Sequence, residues 1–371
     1  MSNGKNNKVH EPLFHLTKRA TIAWWHAWLI RILAVALGLV VCGLVAYLFS
    51  DRLRAGKKTL EDFYYCFIKG SFGTERKLWK FLKNMAVLQC VSLAVTPAFR
   101  MRFWNTGAEG QTLMGVWGAI AVAFYLGGKV PEWTLLVMMF AAALICGAVW
   151  AVIPAIFKAK WNTNETLFTL MMNYVATQLV AWFLKEYVKS GSGVMDKMPQ
   201  YGLPVLGEYK YLLNVILVAI LTLLVYVYLK HSKQGYEITV VGDSENTARY
   251  AGISVKKVTL RTMAISGAIC GMAGFIAVAG SSHTISTSTA GGRGFTAIIV
   301  AWLAKFNTFV MILISFLLVF LQKGAIRIAS QFNLNDNASN IISGIILFCI
   351  IGSEFFINYR LIFRQRKEGV Q

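Results

Sequence analysis

Long apolar runs constrain this chain more than any other feature. Residues 27–49, 131–156, 211–229 and 338–358 are each apolar over the length, roughly 20 residues, that a helix needs to cross a hydrocarbon core about 30 Å thick. In lipid the backbone must satisfy its own hydrogen bonds, which leaves helices or closed barrels, and these runs lack the alternation of barrel strands. The expected fold is all-α, a polytopic transmembrane helical bundle. Its candidate spans are 27–49, 82–101, 110–127, 131–156, 166–186, 211–230, 262–280, 295–304, 308–322 and 338–358, ten in all. Composition agrees: 56% of residues are hydrophobic and 15% are charged, against roughly a quarter charged in a soluble domain.

An even number of spans puts both chain ends on one side, and charge chooses the side. Lys+Arg total 37 against 17 Asp+Glu, a net charge of +20. In a soluble protein that excess would suggest nucleic acid, but no basic stretch here carries a groove-reading motif, so no nucleic-acid partner is expected. Basic residues instead hold cytoplasmic loops at an anionic leaflet. Lys5, Lys8, Lys18 and Arg19 precede the first span, and Lys158 and Lys160 follow the fourth. Lys230, Lys233, Arg249, Lys256, Lys257 and Arg261 follow the sixth, and Arg360, Arg364, Arg366 and Lys367 end the chain. The organisation read from this is a cytoplasmic segment 1–26, a membrane domain 27–358 with a cytoplasmic loop at 231–261, and a basic cytoplasmic tail 359–371. The polar first 26 residues do not resemble a signal peptide. Residues 51–83 resist this scheme: they are basic, yet the count places them outside. Either they form a surface helix with Phe63, Tyr64, Phe67 and Ile68 toward lipid, or the count is off by one.

Three polar stretches stand out. Phe103-Trp-Asn-Thr-Gly-Ala-Glu-Gly-Gln111 joins two apolar runs just after Pro97, which would break or kink the incoming helix. Thr106 and Glu109 have the spacing of a capping box, so Glu109 has a structural reading as a helix start. It also has a functional one. Irregular backbone at membrane depth is tolerated only where it is buried in protein or lines a water-filled path. A half-helix N-terminus there, with Asn105, Glu109 and Gln111, would offer donors and acceptors to a polar solute. The second stretch, Gly242-Asp-Ser-Glu-Asn-Thr-Ala-Arg-Tyr-Ala-Gly252, reads as a short cytoplasmic helix, with Asp243 or Ser244 as its cap and Gly252 as its stop, or as an ordinary solvated loop. The third, Ser281 to Gly294, is a hydroxyl- and glycine-rich connector: the second half of a path, or an external loop.

The first and third stretches echo one another. Gly107-Ala-Glu-Gly-Gln111 leads into an apolar helix, a long span, the turn Trp161-Asn-Thr-Asn-Glu165 and another helix. Gly291-Gly-Arg-Gly-Phe295 leads into an apolar stretch, a span, the turn Asn333-Leu-Asn-Asp-Asn337 and another helix. With opposite directions by the span count, this is the pattern of an inverted repeat with broken helices, or a chance likeness of glycine-rich loops. The six cysteines are scattered and make no zinc-like cluster. There is no phosphate loop GxxxxGK[ST] and no catalytic constellation, so any ATP hydrolysis must lie on another chain.

At these residues the sequence resembles a family. Asn105-Thr-Gly-Ala-Glu-Gly-Gln111 is similar to the Phe-Asn-Ile-Gly-Ala-Glu-Gly-Gln signature of permease subunits of bacterial nucleoside and simple-sugar ABC importers, relatives of the ribose and branched-chain amino-acid permeases. Ala248-Arg-Tyr-Ala-Gly-Ile253 resembles the family's coupling helix. Trp161 to Glu165 with Met172-Asn173-Tyr174 resembles its Val-Asn-Glu…Leu-Asn-Tyr stretch, and Gly294-Phe295 with Ile298 to Ala304 its Gly-Phe…Ile-Ala-Val-Ala-Leu-Leu-Gly. Trp104 and Thr106 depart from the usual Phe and Ile. Ala304 and Thr308 stand where Gly and Pro are usual, which puts the turn before residue 308 in doubt.

The resemblance spans roughly residues 80–358 and implies that the membrane domain 27–358 is a permease that imports a small polar solute, a nucleoside first and a free sugar second, across a bacterial plasma membrane with both ends cytoplasmic. It implies a second permease subunit, a cytoplasmic ATPase that holds ATP-Mg, an extracytoplasmic binding lipoprotein, surrounding lipid, and no cofactor on this chain. It assigns Trp104, Asn105, Glu109, Gln111, Asn173 and Phe295 to the solute path, and Asp243, Asn246, Ala248, Arg249, Tyr250 and Gly252 to coupling with the ATPase. An ion-gradient-driven transporter is the alternative of another class. It would need a buried ionisable couple, for which Glu109 and Lys305 are the few candidates.

Overall fold

The computed structural model describes residues 14–19, 23–49, 59–188, 193–196, 198 and 201–363. In order they form β1 (Phe14–Lys18), α1 (Trp24–Phe49), α2 (Leu60–Phe72), α3 (Glu75–Arg100), α4 (Ala108–Leu126), α5 (Glu132–Trp161), α6 (Glu165–Tyr187) and α7 (Leu212–His231). There follow α8 (Lys233–Asp243), α9 (Glu245–Tyr250), α10 (Val255–Ala277), α11 (Arg293–Leu303), α12 (Thr308–Gln331), α13 (Asp336–Asn358) and β2 (Tyr359–Phe363). This is a polytopic helical membrane protein. Among the described residues eight helices, α1, α3, α5, α6, α7, α10, α12 and α13, are long and apolar enough to cross a bilayer. Two of the ten expected spans are different objects. The run at 110–127 belongs to α4, a largely buried helix whose first turn carries Glu109 and Gln111, and the run at 295–304 to α11, only 11 residues long. Hydropathy reports apolar sequence but not whether lipid or protein surrounds it.

The chain forms two compact units, Lys69–Phe320 and Met1–Ile68 with Leu321–Gln371. In the second of these α1 runs antiparallel to α13. Gly38 packs on the Ile346 backbone, Cys42 Sγ donates to Ile342 O, and Arg31 pairs with Glu354 through Nε at 3.0 Å and through Nη2. β1 and β2 pair antiparallel, Phe14 opposite Phe363 and Lys18 opposite Tyr359. The all-helical expectation did not include this ribbon, which brings the start of α1 and the end of α13 to one end of the pair. Residues 51–58 lie outside the described set, and α2 corrects the lipid-facing surface helix. Tyr64 and Ile68 are exposed, but Phe63 and Phe67 are buried: Phe67 fills the space over Gly324, and Phe63 meets the Phe332 ring edge-on at 5.8 Å.

The unit Lys69–Phe320 is built around α3 and α10, the two most buried of the candidate spans. They run antiparallel: Lys83 Nζ donates to Ser281 Oγ at 2.6 Å, while Cys90 Sγ donates to Ile269 O at 3.7 Å. They stand just before the two echoing stretches that begin at Gly107 and Gly291. Close approach is achieved with small residues, as is usual where lipid offers no hydrophobic drive to helix pairing. Gly267 and Gly271 of α10 form a small-xxx-small pair against Ala143, Gly147 and Ala151 of α5. A Cβ on Gly271 would lie 2.1 Å from Ala143 O, and one on Gly147 2.3 Å from Gly267 O. Trp79 of α3 stacks on Tyr209 at 4.7 Å, and Lys83 lies 5.1 Å over the Tyr211 ring. The other end of α3 touches α8, where Gly242 presses on Arg100 O. The basic start of α3 thus stands at the opposite end of this unit from α8 and α9.

Candidate functional site

The site begins where α3 stops. The helix runs three residues past Pro97 and closes on a left-handed Arg102 (φ 59°). Phe103 N donates to Ala98 O and Arg102 N to Phe99 O, both at 3.0 Å, the paired bonds of a Schellman stop. The chain then crosses to α4 through Trp104, Asn105 and Thr106. The expected capping box between Thr106 and Glu109 is not formed. Gly107 is the N-cap and takes no side-chain bond in that role, while Thr106 Oγ1 donates to Thr166 O at 3.0 Å. Fully buried Asn105 takes over part of the work: its Oδ1 accepts from Gly107 N at 3.1 Å and from Gln111 Nε2 at 2.9 Å. Its Nδ2 donates to Gln111 Oε1 at 3.2 Å and to Ser266 Oγ at 3.3 Å. Asn173 of α6 supplies the rest, accepting from Gly110 N at 2.8 Å and donating to Thr106 O at 3.0 Å. Buried backbone at a break must find partners, and here amide side chains provide them.

Glu109 reaches the second break rather than its own backbone. Its Oε1 accepts from Gly292 N and its Oε2 from Gly294 N, each at 2.6 Å. Gly291 and Gly292 are left-handed (φ 66° and 72°), and the amides of Gly292 and Gly294 converge on the Glu109 carboxylate at the start of α11. A carboxylate there complements the positive end of a helix, an interaction worth about 0.3–1 kcal/mol when exposed and up to about 2 when partly buried. The approach is close: a Cβ on Gly294 would lie 2.3 Å from Glu109 N and 2.7 Å from its Cα. The Arg293 guanidinium turns aside, to Thr289 O and Asn84 Oδ1 at 3.4 Å each. The connector before it is packed, with Ile285 and Ala290 buried in the core cluster.

Along α11 the exposed face carries Phe295 and Trp302, one heptad apart and each about half exposed. Trp302 stacks on half-exposed Trp104, ring centroids 5.4 Å apart and planes 23° apart, with Phe99 edge-on to both. The turn after α11, put in doubt by Ala304 and Thr308, forms through Lys305 and Phe306 in left-handed conformation (φ 49° and 60°), with Asn307 capping α12. Side chains in that region cost on the order of 1–3 kcal/mol each. Packing of Phe306 against Trp302 at 5.4 Å opposes that cost.

At the α8 end the expected helix is present but shorter, six residues and so about 9 Å. Ser244 caps it, its Oγ accepting from Thr247 N at 3.3 Å. Ile253 N to Ala248 O (2.9 Å) and Gly252 N to Arg249 O (3.0 Å) close it on left-handed Gly252. Ala248 is buried as its anchor, while Asn246, Arg249 and Tyr250 face outward. Asp243 ends the preceding α8, a helix that was missed inside the loop. Its signals were Ser232, which caps Gly235 N at 2.9 Å, and the buried pair Ile238 and Val241. Arg261 of α10 ties it down through Glu237 at 2.8 Å. A cleft of about 820 Å³ opens beside α9, lined among others by Arg102, Lys158, Asp243, Glu245, Arg249 and Lys256.

Known proteins share this sequence pattern. The family described as branched-chain amino acid transport system / permease component matches residues 78–351. A glucose ABC transporter permease protein of Haloferax volcanii is 28% identical over 93% of this chain and 93% of its own length. A guanosine ABC transporter permease protein of Bacillus subtilis is 26% identical over 88% and 93%, and a nucleoside ABC transporter permease protein of Lactococcus lactis 23% identical over 80% and 83%.

Proposed function

We propose, from the premise that this chain belongs to the branched-chain amino acid transport system / permease component family, that its cargo is a nucleoside. The chain is a permease subunit of an ABC importer, a multi-pass transport component whose ATPase is a separate subunit. The ion-gradient alternative is therefore not retained.

The observation that carries the nucleoside reading is the stacked, half-exposed pair Trp104 and Trp302. Flat indole faces at a helix break suit a planar base, and the exposed α11 face from Phe295 to Trp302 continues the surface. Asn105, Gln111 and Asn173 shape this path by holding the break rather than by meeting the solute, since their amides bond within the protein. Two relatives named for guanosine and nucleosides support the reading. Free sugars remain the second reading because the Haloferax relative is named for glucose.

The partners in this reading are a second permease subunit, an ATPase seated on α9 and its cleft, and a binding lipoprotein at the opposite end, in a bacterial plasma membrane. The pairing of β1 with β2 supports these two strands lying on one side of the membrane, and the basic residues next to them support that side being the cytoplasm. Competition for uptake in the complete reconstituted importer tests the cargo. Guanosine should compete better than ribose or glucose, and Trp302→Leu should narrow that preference. Equal competition by glucose would transfer the assignment to sugars.

A further inference from the structure

In broken-helix transporters, half-helix N-termini are where anionic groups of a solute are met, because free amides and the helix dipole point there. Both such termini are already engaged in this protein. On α4 the amides of Gly107 and Gly110 go to the neutral oxygens of Asn105 and Asn173. On α11 the amides of Gly292 and Gly294 go to the Glu109 carboxylate, and Arg293 N goes to Ala290 O. The α11 nest is not sealed, since Gly291, Gly292 and Phe295 are exposed beside it. An accessible anion cradle is filled by the chain's own anion.

We propose that Glu109 is a specificity-determining residue: it occupies the anion nest of α11, so the path carries uncharged solutes and gives no foothold to carboxylate- or phosphate-bearing ones. The inference rests on the permease reading above and narrows its cargo by charge. It also separates this chain from what its family's description suggests, because amino acids carry a carboxylate that a vacant nest would hold. A nucleoside and a free sugar both satisfy the rule, and a nucleotide does not.

The test uses the complete importer in liposomes, with inorganic sulfate as the probe anion and ionic strength held constant. Uptake of labelled guanosine, or of glucose should guanosine not be carried, is measured with and without sulfate in wild type, Glu109→Ala and Glu109→Gln. Wild-type uptake is expected to ignore sulfate. The Ala variant should become sulfate-sensitive by about 5-fold, the factor matching the interaction of an anion with a helix N-terminus. The Gln variant, which still fills the space, should fall between and carries the test if the Ala variant does not reach the membrane. A merely structural Glu109 would lower abundance without creating sulfate sensitivity. Equal inhibition of wild type, or sulfate-insensitive variants at normal abundance, would overturn the proposal, as would wild-type import of leucine or a nucleotide. Import of glucose in place of guanosine would sink only the nucleoside reading.

Discussion

In the unit Lys69–Phe320, α4 and α11 both start on a glycine, Gly107 and Gly292, yet their first amides are satisfied by different means. The α4 start is held by neutral amides, Asn105 two residues before Gly107 and Asn173 on α6. The α11 start is held by a carboxylate, Glu109, more than 180 residues away in the chain. The first break is self-contained, and the second is completed by the first. Likeness of sequence between the two glycine-rich stretches therefore coexists with unlike chemistry. An amide network fixes geometry without a field, whereas a carboxylate both fixes α11 and cancels the charge its N-terminus would present.

Four variants sharpen or break this contrast. Gly294→Ala should have the largest effect, because the new methyl meets Glu109 backbone at 2.3 Å and neither helix can yield alone. Overpacking of this kind costs about 3 kcal/mol at its upper range, and thermal unfolding in detergent should show the steepest fall here. Asn173→Ala should follow, at about 2 kcal/mol by the same assay, since it leaves Gly110 N without its partner. Gly107→Ala should be milder, about 1 kcal/mol: its Cβ would meet Thr169 Cβ, Asn105 Oδ1 and Thr169 O at 3.1–3.2 Å, contacts that need a far smaller shift than the 2.3 Å approach at Gly294. A larger loss for Gly107→Ala than for Gly294→Ala would invert the comparison and make α4 the dependent element. The smallest effect on stability is expected from Arg249→Glu combined with Tyr250→Ala. Tyr250 is 94% exposed and the Arg249–Glu245 pair lies at the surface, so the unfolding temperature should hold. Assembly with the ATPase and solute-stimulated ATP hydrolysis should fall in that variant, and unchanged values for both would move the contact elsewhere.

Much of this protein is written locally. Apolar runs about 20 residues long leave a membrane helix as their one outlet, because an unpaired backbone in lipid is too costly. The stop at Gly252 and the cap at Ser244 are likewise short-range chemistry, and the short helix between them formed as its residues dictate. The resemblance carried by residues 105–111 led to the permease family by the same local route. What stayed hidden depends on residues that meet only in three dimensions. Phe63 and Phe67 carry the pattern of a lipid-facing stripe, yet they pack on Gly324 and Phe332, some 260 residues on. The Thr106–Glu109 spacing fits a capping box, but a local cap yields to the paired amide donors offered by Gly292 and Gly294. Sequence determined that a carboxylate, two glycine-rich turns and a family signature are present. Tertiary packing alone decided that the carboxylate of one turn fills the amide nest of the other, because hydrogen-bond partners at a helix break are chosen by proximity in space.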